Sequence, residues 1–508
     1  MKICFILFCL LNLCCVHGAQ TDIIVTDRYL IYPNYRNSVL VGDDEPWSIL
    51  LHFSPEYKQK TLTVYQELTT DKGVLIEKES HKITVDVQSQ FLLNQVFKNK
   101  NEAGSYLWNI TIEDSAGKKD KYSVKINLLN QFPSVYVGKD GFMRIDNEKF
   151  FPFGIYTGTT NFRAPDEGKG KSSFEDLKII KDGGYNIVLS YFYGANDNQR
   201  GKVFLKNAEK NDLKVIYSVK DFVKNYTANR TLVRDIVSDL KDQKSLLAWY
   251  TNDEMQNYGA LDSAYNDISA LDKEHPVYQV TNMLNLLDNF YPSTDIIATD
   301  PYPIGDKFKS RNTLDNVTLA TLKTTASARK SKASWQVLQL HNLDFLSKDK
   351  SLLVKPPTLD QMRNMSYQAL VNGAKGLIFF AYHWLYFDRN QAGKVVLSED
   401  AFQKRWQDII KLNNEIKPLT EIILKDNNVD LVMNQGNKDA FRVWEDNNIV
   451  YLVVVNNTDK RQSFLKFDIP KKWRIKENKA PNTLVKLNRG KLSIVLEPVA
   501  CGVITFDK

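Results

Sequence analysis

The chain reads as an α/β protein: a (β/α)8 TIM barrel flanked by N-terminal and C-terminal β-sandwich domains. Three observations carry that reading. Eight apolar, strand-like runs recur through the middle of the chain, mostly about 30–40 residues apart, with helical stretches between them. The residues before them, and those from about 424 onward, form short apolar runs broken by polar turns. The length, 508 residues, exceeds one compact core and suits about three domains.

The amino terminus comes first. Lys2 precedes an apolar run, Ile3 to Cys15, and small residues at Gly18 and Ala19 suit a signal-peptidase site, so residues 1–19 are expected to be a secretory signal peptide. The run is too short to span a bilayer, and no later stretch of about 18 apolar residues exists, so no membrane insertion is expected. The carboxyl end, Cys501 to Lys508, lacks the long hydrophobic tail of a lipid-anchor signal. Four cysteines (Cys4, Cys9, Cys14, Cys15) fall in the signal peptide, which leaves Cys501 alone and no internal disulfide. Cys501 reads as a small buried apolar residue. Asn109, Asn225, Asn229, Asn316, Asn364 and Asn456 each open an N-x-[ST] triplet without Pro, and N-glycans are expected there.

Residues 20–131 are expected to form the N-terminal sandwich. Tyr106-Leu107-Trp108-Asn109-Ile110-Thr111-Ile112 alternates, a turn follows at Asp114 to Gly117, and Tyr122 to Ile126 alternates again. Residues 132–423 hold the eight runs: 150–156, 185–192, 213–219, 246–253, 276–282, 295–302, 334–341 and 376–383. The spacing predicts a helix over 174–182, capped by Ser173 and stopped by Gly183 and Gly184. Leu232, Val233, Ile236, Val237 and Leu240 make a helical stripe, and Pro357-Thr358 opens a helix that ends near Gly373. The fifth-to-sixth step is the weak link, since only about a dozen residues remain for the crossover. Residues 424–508 read as strands again, with Asn448–Val455 strongly apolar.

The charge balance, 67 − 60 = +7, is mild for this size, and no zinc finger, RNA-binding aromatic signature or long basic block accompanies it, so no nucleic-acid partner is expected. Active sites of such barrels lie at the carboxyl ends of the strands. That rule selects Tyr156, Tyr191, Lys220-Asp221, Thr251-Asn252-Asp253-Glu254, Asp300-Pro301-Tyr302, Gln339 with His341, and Tyr382-His383-Trp384. Acids and aromatics dominate. Aromatic faces stack on sugar rings, and carboxyl groups serve glycosidic cleavage. A bland alternative stands beside each: Asp253 and Glu254 could favour the dipole of the next helix, Asp300 could be a turn residue, and Tyr382 and Trp384 could be core. His341 and His383 lack metal-site spacing, and no metal or other cofactor is expected.

The stretch Gly141-Phe142-Met143-Arg144-Ile145-Asp146, then Lys149 to Tyr156, is similar to the lead-in of clan A glycoside hydrolases: a short β pair, then a first strand ending Phe-Gly-Ile-Tyr. Ala248-Trp249-Tyr250 through Glu254 resembles their fourth strand, which ends in the acid/base Glu, and Asn372 to Leu377 resembles their approach to strand eight. The resemblance covers roughly 138–390. Two positions depart from it: Asp253 stands where Asn is usual, and Gln339 where the nucleophilic Glu is usual. An adjacent Asp-Glu pair is similar to that of β-hexosaminidases. On that resemblance Glu254 is the acid/base and Asp253 orients the substrate's acetamido group, which acts as nucleophile. Tyr156, Tyr191, Asp300, Tyr302, Gln339, His341, Tyr382 and Trp384 are then the expected carbohydrate-binding residues.

The expectation is thus a secreted glycoside hydrolase acting on an N-acetylhexosamine-containing glycan. A second version pairs Glu254 with Asp300 or Asp221 on a neutral sugar, with carboxyls about 5–5.5 Å apart for retention or about 6.5–9.5 Å for inversion. The rival is a degenerate barrel that binds glycans without cleaving them, which Gln339 favours.

Overall fold

A computed structural model describes residues 23–98, 102–158, 174–192, 198–305, 313–341, 356–389 and 395–508. The expected signal peptide and the Ser173 cap lie outside the described residues. Two compact units emerge: Val41–Leu128 with the chain up to Ile31, and Tyr32–Leu40 with Leu129–Lys508.

The first unit is all β. One antiparallel sheet joins Val25–Tyr32, Trp47–Phe53 and Gln90–Gln95; another joins Lys119–Leu129, Gly104–Glu113, Thr61–Thr70 and Leu75–Thr84 in that order. The alternation seen at 106–112 becomes an alternation of burial, because successive side chains face opposite sides of a strand. Trp47, Phe97 and Trp108 meet inside at 5.1–6.2 Å. The buried Gln66 amide donates to Gln95 Oε1 (2.6 Å) and accepts from the Trp108 indole (3.1 Å).

The second unit holds the predicted barrel. Eight parallel strands close on themselves: β1 (Phe153–Gly158), β2 (Ile187–Phe192), β3 (Lys214–Ser218), β4 (Leu246–Asp253), β5 (Val277–Val280), β6 (Ile296–Thr299), β7 (Ala333–Gln339) and β8 (Leu377–Phe380). Strands buried on both faces read as continuous apolar runs, which is why the sequence displays them so plainly. Helices cover the outside: α1 (Phe174–Asp182), α2 (Asn198–Lys210), α3 (Tyr226–Leu240), α4 (Tyr258–Leu271), α5 (Asn316–Ala328), α6 (Leu359–Val371) and α7 (Glu399–Lys425). The stripe on α3 buries Val233, Ile236, Val237 and Leu240. At α6 Thr358 and Gln361 form a capping box, each side chain accepting from the other's backbone N–H. Gly183 after α1 is required by packing: a Cβ there would lie 2.4 Å from the Trp406 ring. The short β5–β6 link is resolved by a 3₁₀ segment, Leu287–Ser293, which rises further per residue than an α-helix and so spans the step with fewer residues.

A three-stranded antiparallel sheet (Val135–Val137, Met143–Ile145, Glu148–Phe150) leads into β1. Its Val135, Val137 and Met143 pack with Ile187, Leu247, Ile296 and Ala333, residues at the starts of the strands, and so close the barrel floor. Arg36, from the Tyr32–Leu40 segment, reaches the same end. It donates to Asp295 (3.3 Å) and to the carbonyls of Asp272 (2.7 Å) and His275 (2.6 Å).

After α7 come two four-stranded antiparallel sheets around Leu452, Phe467, Ile494 and Phe506. A buried polar network ties them to the barrel. The Asn364 amide of α6 donates to the carbonyls of Asn456 (2.8 Å) and Val499 (2.9 Å), and its oxygen accepts from Gln368 (2.7 Å). The Asn456 amide donates to Arg461, Leu496 and Glu497. This corrects the expectation of glycans at Asn364 and Asn456. Both side chains are buried and their amide nitrogens are engaged by backbone, so a glycan there is incompatible with this packing.

Candidate active site

The carboxyl end of β4 organises the site. Tyr250 points into the barrel and packs between Tyr156 (edge-on, 6.2 Å) and Tyr278 (tilted, 5.3 Å). The ladder to β5 shifts register between Tyr250 and Asn252, and the chain then turns sharply. Glu254 takes a left-handed backbone, φ +59°, which costs a residue with a Cβ about 1–2 kcal/mol. Two bonds hold it there: Glu254 N–H donates to Val280 O (3.0 Å), and the buried Asn252 side chain accepts from Met255 N–H (3.0 Å). The turn delivers Asp253 and Glu254 to the mouth together. The helix-dipole alternative is not realised, because α4 begins at Tyr258 with Asn257 as its cap.

Three donors converge on Asp253: Tyr191 Oη (2.8 Å), Tyr250 Oη (2.7 Å) and Lys220 Nζ (3.5 Å). Lys220 also lies over the Tyr191 ring (4.4 Å) and pairs with Asp221 (3.1 Å). Such a donor set holds the carboxyl in one orientation at the mouth.

Glu254 accepts from Asn282 Nδ2 (2.6 Å) and neighbours Asp300, which follows β6, so that each carboxyl bears on the other's proton affinity. Two neighbouring carboxyls disfavour each other's charged form, so one of them tends to keep a proton. Burial, then the charges of Glu254 and Asp253, push Asp300 well above the usual carboxylate range. Partial burial pushes Glu254 up as well, with the Asp253 charge adding to it, although the residue is exposed to solvent at the mouth. A carboxyl so tuned can keep a proton to give away.

Aromatic rings complete the mouth. Tyr302 meets His341 (5.0 Å) and Phe380 (6.0 Å), His341 meets Trp384 (5.1 Å), and Tyr156 and Tyr191 meet Phe380 (5.1 and 5.3 Å). The Phe380–Ala381 peptide at the end of β8 is cis. His341 is 3% exposed; its Nδ1 lies 3.1 Å from Phe380 O, so Nδ1 carries the proton and the ring is neutral. Burial pushes its pKa down to about 4.

The structure therefore brings Asp253, Glu254, Tyr156, Tyr191, Asp300, Tyr302, His341 and Trp384 together. It places two expected residues elsewhere. Tyr382 turns outward: its hydroxyl donates to Asp176 of α1 (3.0 Å), and its ring packs on Phe402 and Trp406 of α7. Gln339 is fully buried, and its amide is engaged by the backbone of Ile304 and His341. Asp221 is largely exposed and pairs with Lys220.

Sequence reasoning missed Tyr250, Lys220 as a partner of Asp253, and Asn282. The strand-end rule that selected the other residues also selects Asn282 after β5. Among the described residues no group of three or more His, Cys, Asp or Glu is arranged to hold a metal, and no helix is long and apolar enough to cross a membrane.

No family model and no curated protein matches the chain. Solved structures are similar at the level of fold. A glycoside hydrolase family 5 protein from Bacteroides vulgatus superposes with a TM-score of 0.51 at 14% identity, over 74% of this chain and 95% of that one. A β-glucuronidase from Ruminococcus gnavus gives 0.39 at 14%, over 75% and 67%. A β-glucuronidase from Dictyoglomus thermophilum gives 0.38 at 12%, over 76% and 69%.

Proposed function

We propose that the protein is a glycoside hydrolase with Glu254 as general acid and base. The neighbouring Glu254 and Asp300 carboxyls carry this reading: they set a proton-holding group at the open end of the barrel, beside Asp253. The fold-level likeness to a glycoside hydrolase of family 5 agrees with it.

The finer reading is hydrolysis of an N-acetylhexosamine-containing glycan by substrate-assisted catalysis. Glu254 gives its proton to the glycosidic oxygen as the bond to the anomeric carbon breaks and its electrons go to that oxygen. The acetamido carbonyl oxygen of the same sugar attacks the anomeric carbon, and Asp253 holds the acetamido N–H while positive charge develops. Glu254 then takes a proton from the water that opens the intermediate, which restores the acid. Gln339 supports this route, because β7 supplies no carboxylate nucleophile there. Its amide anchors the backbone of Ile304, so it also supports the loop after β6.

Residues 1–19 suit export, so the proposal is of a secreted enzyme with N-glycans at the remaining triplets, above all at Asn225, which is exposed and makes no capping bond. Hydrolysis of aryl N-acetylglucosaminide, N-acetylgalactosaminide, glucoside and galactoside by wild type and Glu254→Gln tests the proposal. Turnover of an acetamido sugar that the variant loses by ~10²–10⁴-fold supports it. Turnover of neutral sugars alone removes the acetamido route, and turnover of none removes the enzyme reading.

A further inference from the structure

The turn after β4 brings the Glu254 carboxyl to the end of β5, where one side chain meets it: Asn282 Nδ2 donates to Glu254 Oε1 at 2.6 Å. The same strand end holds the turn by its backbone, since Val280 O accepts from Glu254 N–H (3.0 Å) and from Asn252 Nδ2 (3.3 Å). Asn282 itself stands on a tethered stretch of chain. Thr281 N–H donates to Ala298 O of β6 (3.1 Å), Met283 N–H to Thr281 Oγ1 (3.1 Å) and Leu284 N–H to Asn282 O (3.1 Å). The backbone and the side chain of Glu254 are thus gripped by two residues of one strand end.

The side-chain grip has a chemical consequence. Either oxygen of a carboxyl can carry its proton, but an amide nitrogen only donates, and the oxygen that accepts from it stays the carbonyl oxygen. With Asn282 Nδ2 against Oε1, the proton of the acid form belongs on Oε2. Transfer needs that proton within hydrogen-bond reach of the leaving oxygen, and small misplacements are costly.

Resting on the reading of Glu254 as general acid, we infer that Asn282 is a positioning residue: its amide reserves Oε1 as an acceptor and keeps the transferable proton on Oε2. The same bond favours the charged form of Glu254, and so opposes partial burial and the Asp253 charge, which favour the neutral form. The other titratable groups that bear on Glu254 are Asp300, Tyr302 two residues beyond it, and Tyr191 of β2. None of them changes when Asn282 alone is replaced.

The test compares wild type, Asn282→Ala and Asn282→Asp. Asn282 is exposed, so neither variant disturbs the core. In protein labelled with 13C at the glutamate carboxyl carbon, the Glu254 resonance is the one absent from Glu254→Gln. Its titration midpoint should rise by about half a pH unit or more in Asn282→Ala, because a hydrogen bond to the charged form is lost. It should rise further in Asn282→Asp, which removes the donor and adds a charge. This readout needs no substrate. The alkaline limb of kcat/KM should move up with it. Below that limb, Asn282→Ala should lose about tenfold on a glycoside with an unactivated alcohol as leaving group, and less than about twofold on the dinitrophenyl glycoside of the same sugar, whose leaving group needs no proton. A midpoint that stays or falls, a limb that does not follow it, or equal losses on the two glycosides each overturn the inference. The glycosidase reading then still stands if Glu254→Gln loses far more on the unactivated glycoside than on the other. A raised midpoint with hydrolysis of neither glycoside overturns both.

Discussion

Glu254 occupies a backbone conformation that suits glycine, yet carries the side chain the chemistry needs. Strain kept at such a position is a mark of function, since any relaxing substitution costs the reaction. Glu254→Gly is therefore expected to be at least as stable as wild type, by about 1 kcal/mol in urea unfolding, and inactive. A large loss of stability would show that the strained turn is not what the residue endures for catalysis. Asp300 makes a related prediction. Its pKa is raised in the fold, so the folded state binds more protons than the unfolded state above the ordinary carboxylate range. Its contribution is fully present in acid and is lost as pH rises toward its folded pKa. Asp300→Asn should flatten that decline, gaining on wild type as pH rises from about 4 toward 8. At this scale the sequence showed which residues end the strands. It could not show that Glu254 neighbours Asp300, because that proximity joins strands 46 residues apart through a fold not written locally.

Elements fix these residues through polar contacts that leave little room for change. Asn364 of α6 satisfies two carbonyls from the C-terminal sheets and the Gln368 amide. Asn364→Gln, a routine way to delete a glycosylation triplet, should cost about 2–4 kcal/mol by leaving buried groups unpaired, whereas Asn225→Gln should be neutral. Chemical denaturation of the two variants checks this, and gel mobility of secreted protein should change only for Asn225→Gln. At β7 and β8, burial lowers His341 to about 4 and His383 to about 3. Both are depressed, so their contribution is present above about pH 6.5 and is lost as pH falls toward 4, at up to about 1.4 kcal/mol per pH unit for each. His341→Gln should reduce that slope by about half. The helix start at Pro357-Thr358 and the α3 stripe were plain in the sequence, because they are local. The 3₁₀ link between β5 and β6 was not: its twelve or so residues fit no regular helix, and only the closed barrel requires them to cross.

Across the whole molecule, the barrel was legible because parallel strands buried on both faces must be apolar throughout. All eight runs overlap the observed strands, and β4 matches from Leu246 to Asp253. The Tyr32–Leu40 segment was not legible. It joins the barrel unit through Arg36 at the floor, and a guanidinium that seeks a carboxylate hundreds of residues away leaves no periodic trace. The central claim is that Glu254 protonates a leaving group. A dinitrophenyl leaving group departs without protonation, whereas an unactivated alcohol cannot. The most direct measurement is hydrolysis of both kinds of glycoside of one sugar by wild type and Glu254→Gln. The account predicts that the variant loses ~10²–10⁴-fold on the unactivated glycoside and far less on the dinitrophenyl glycoside. Equal losses on both, or no loss on either, would contradict it.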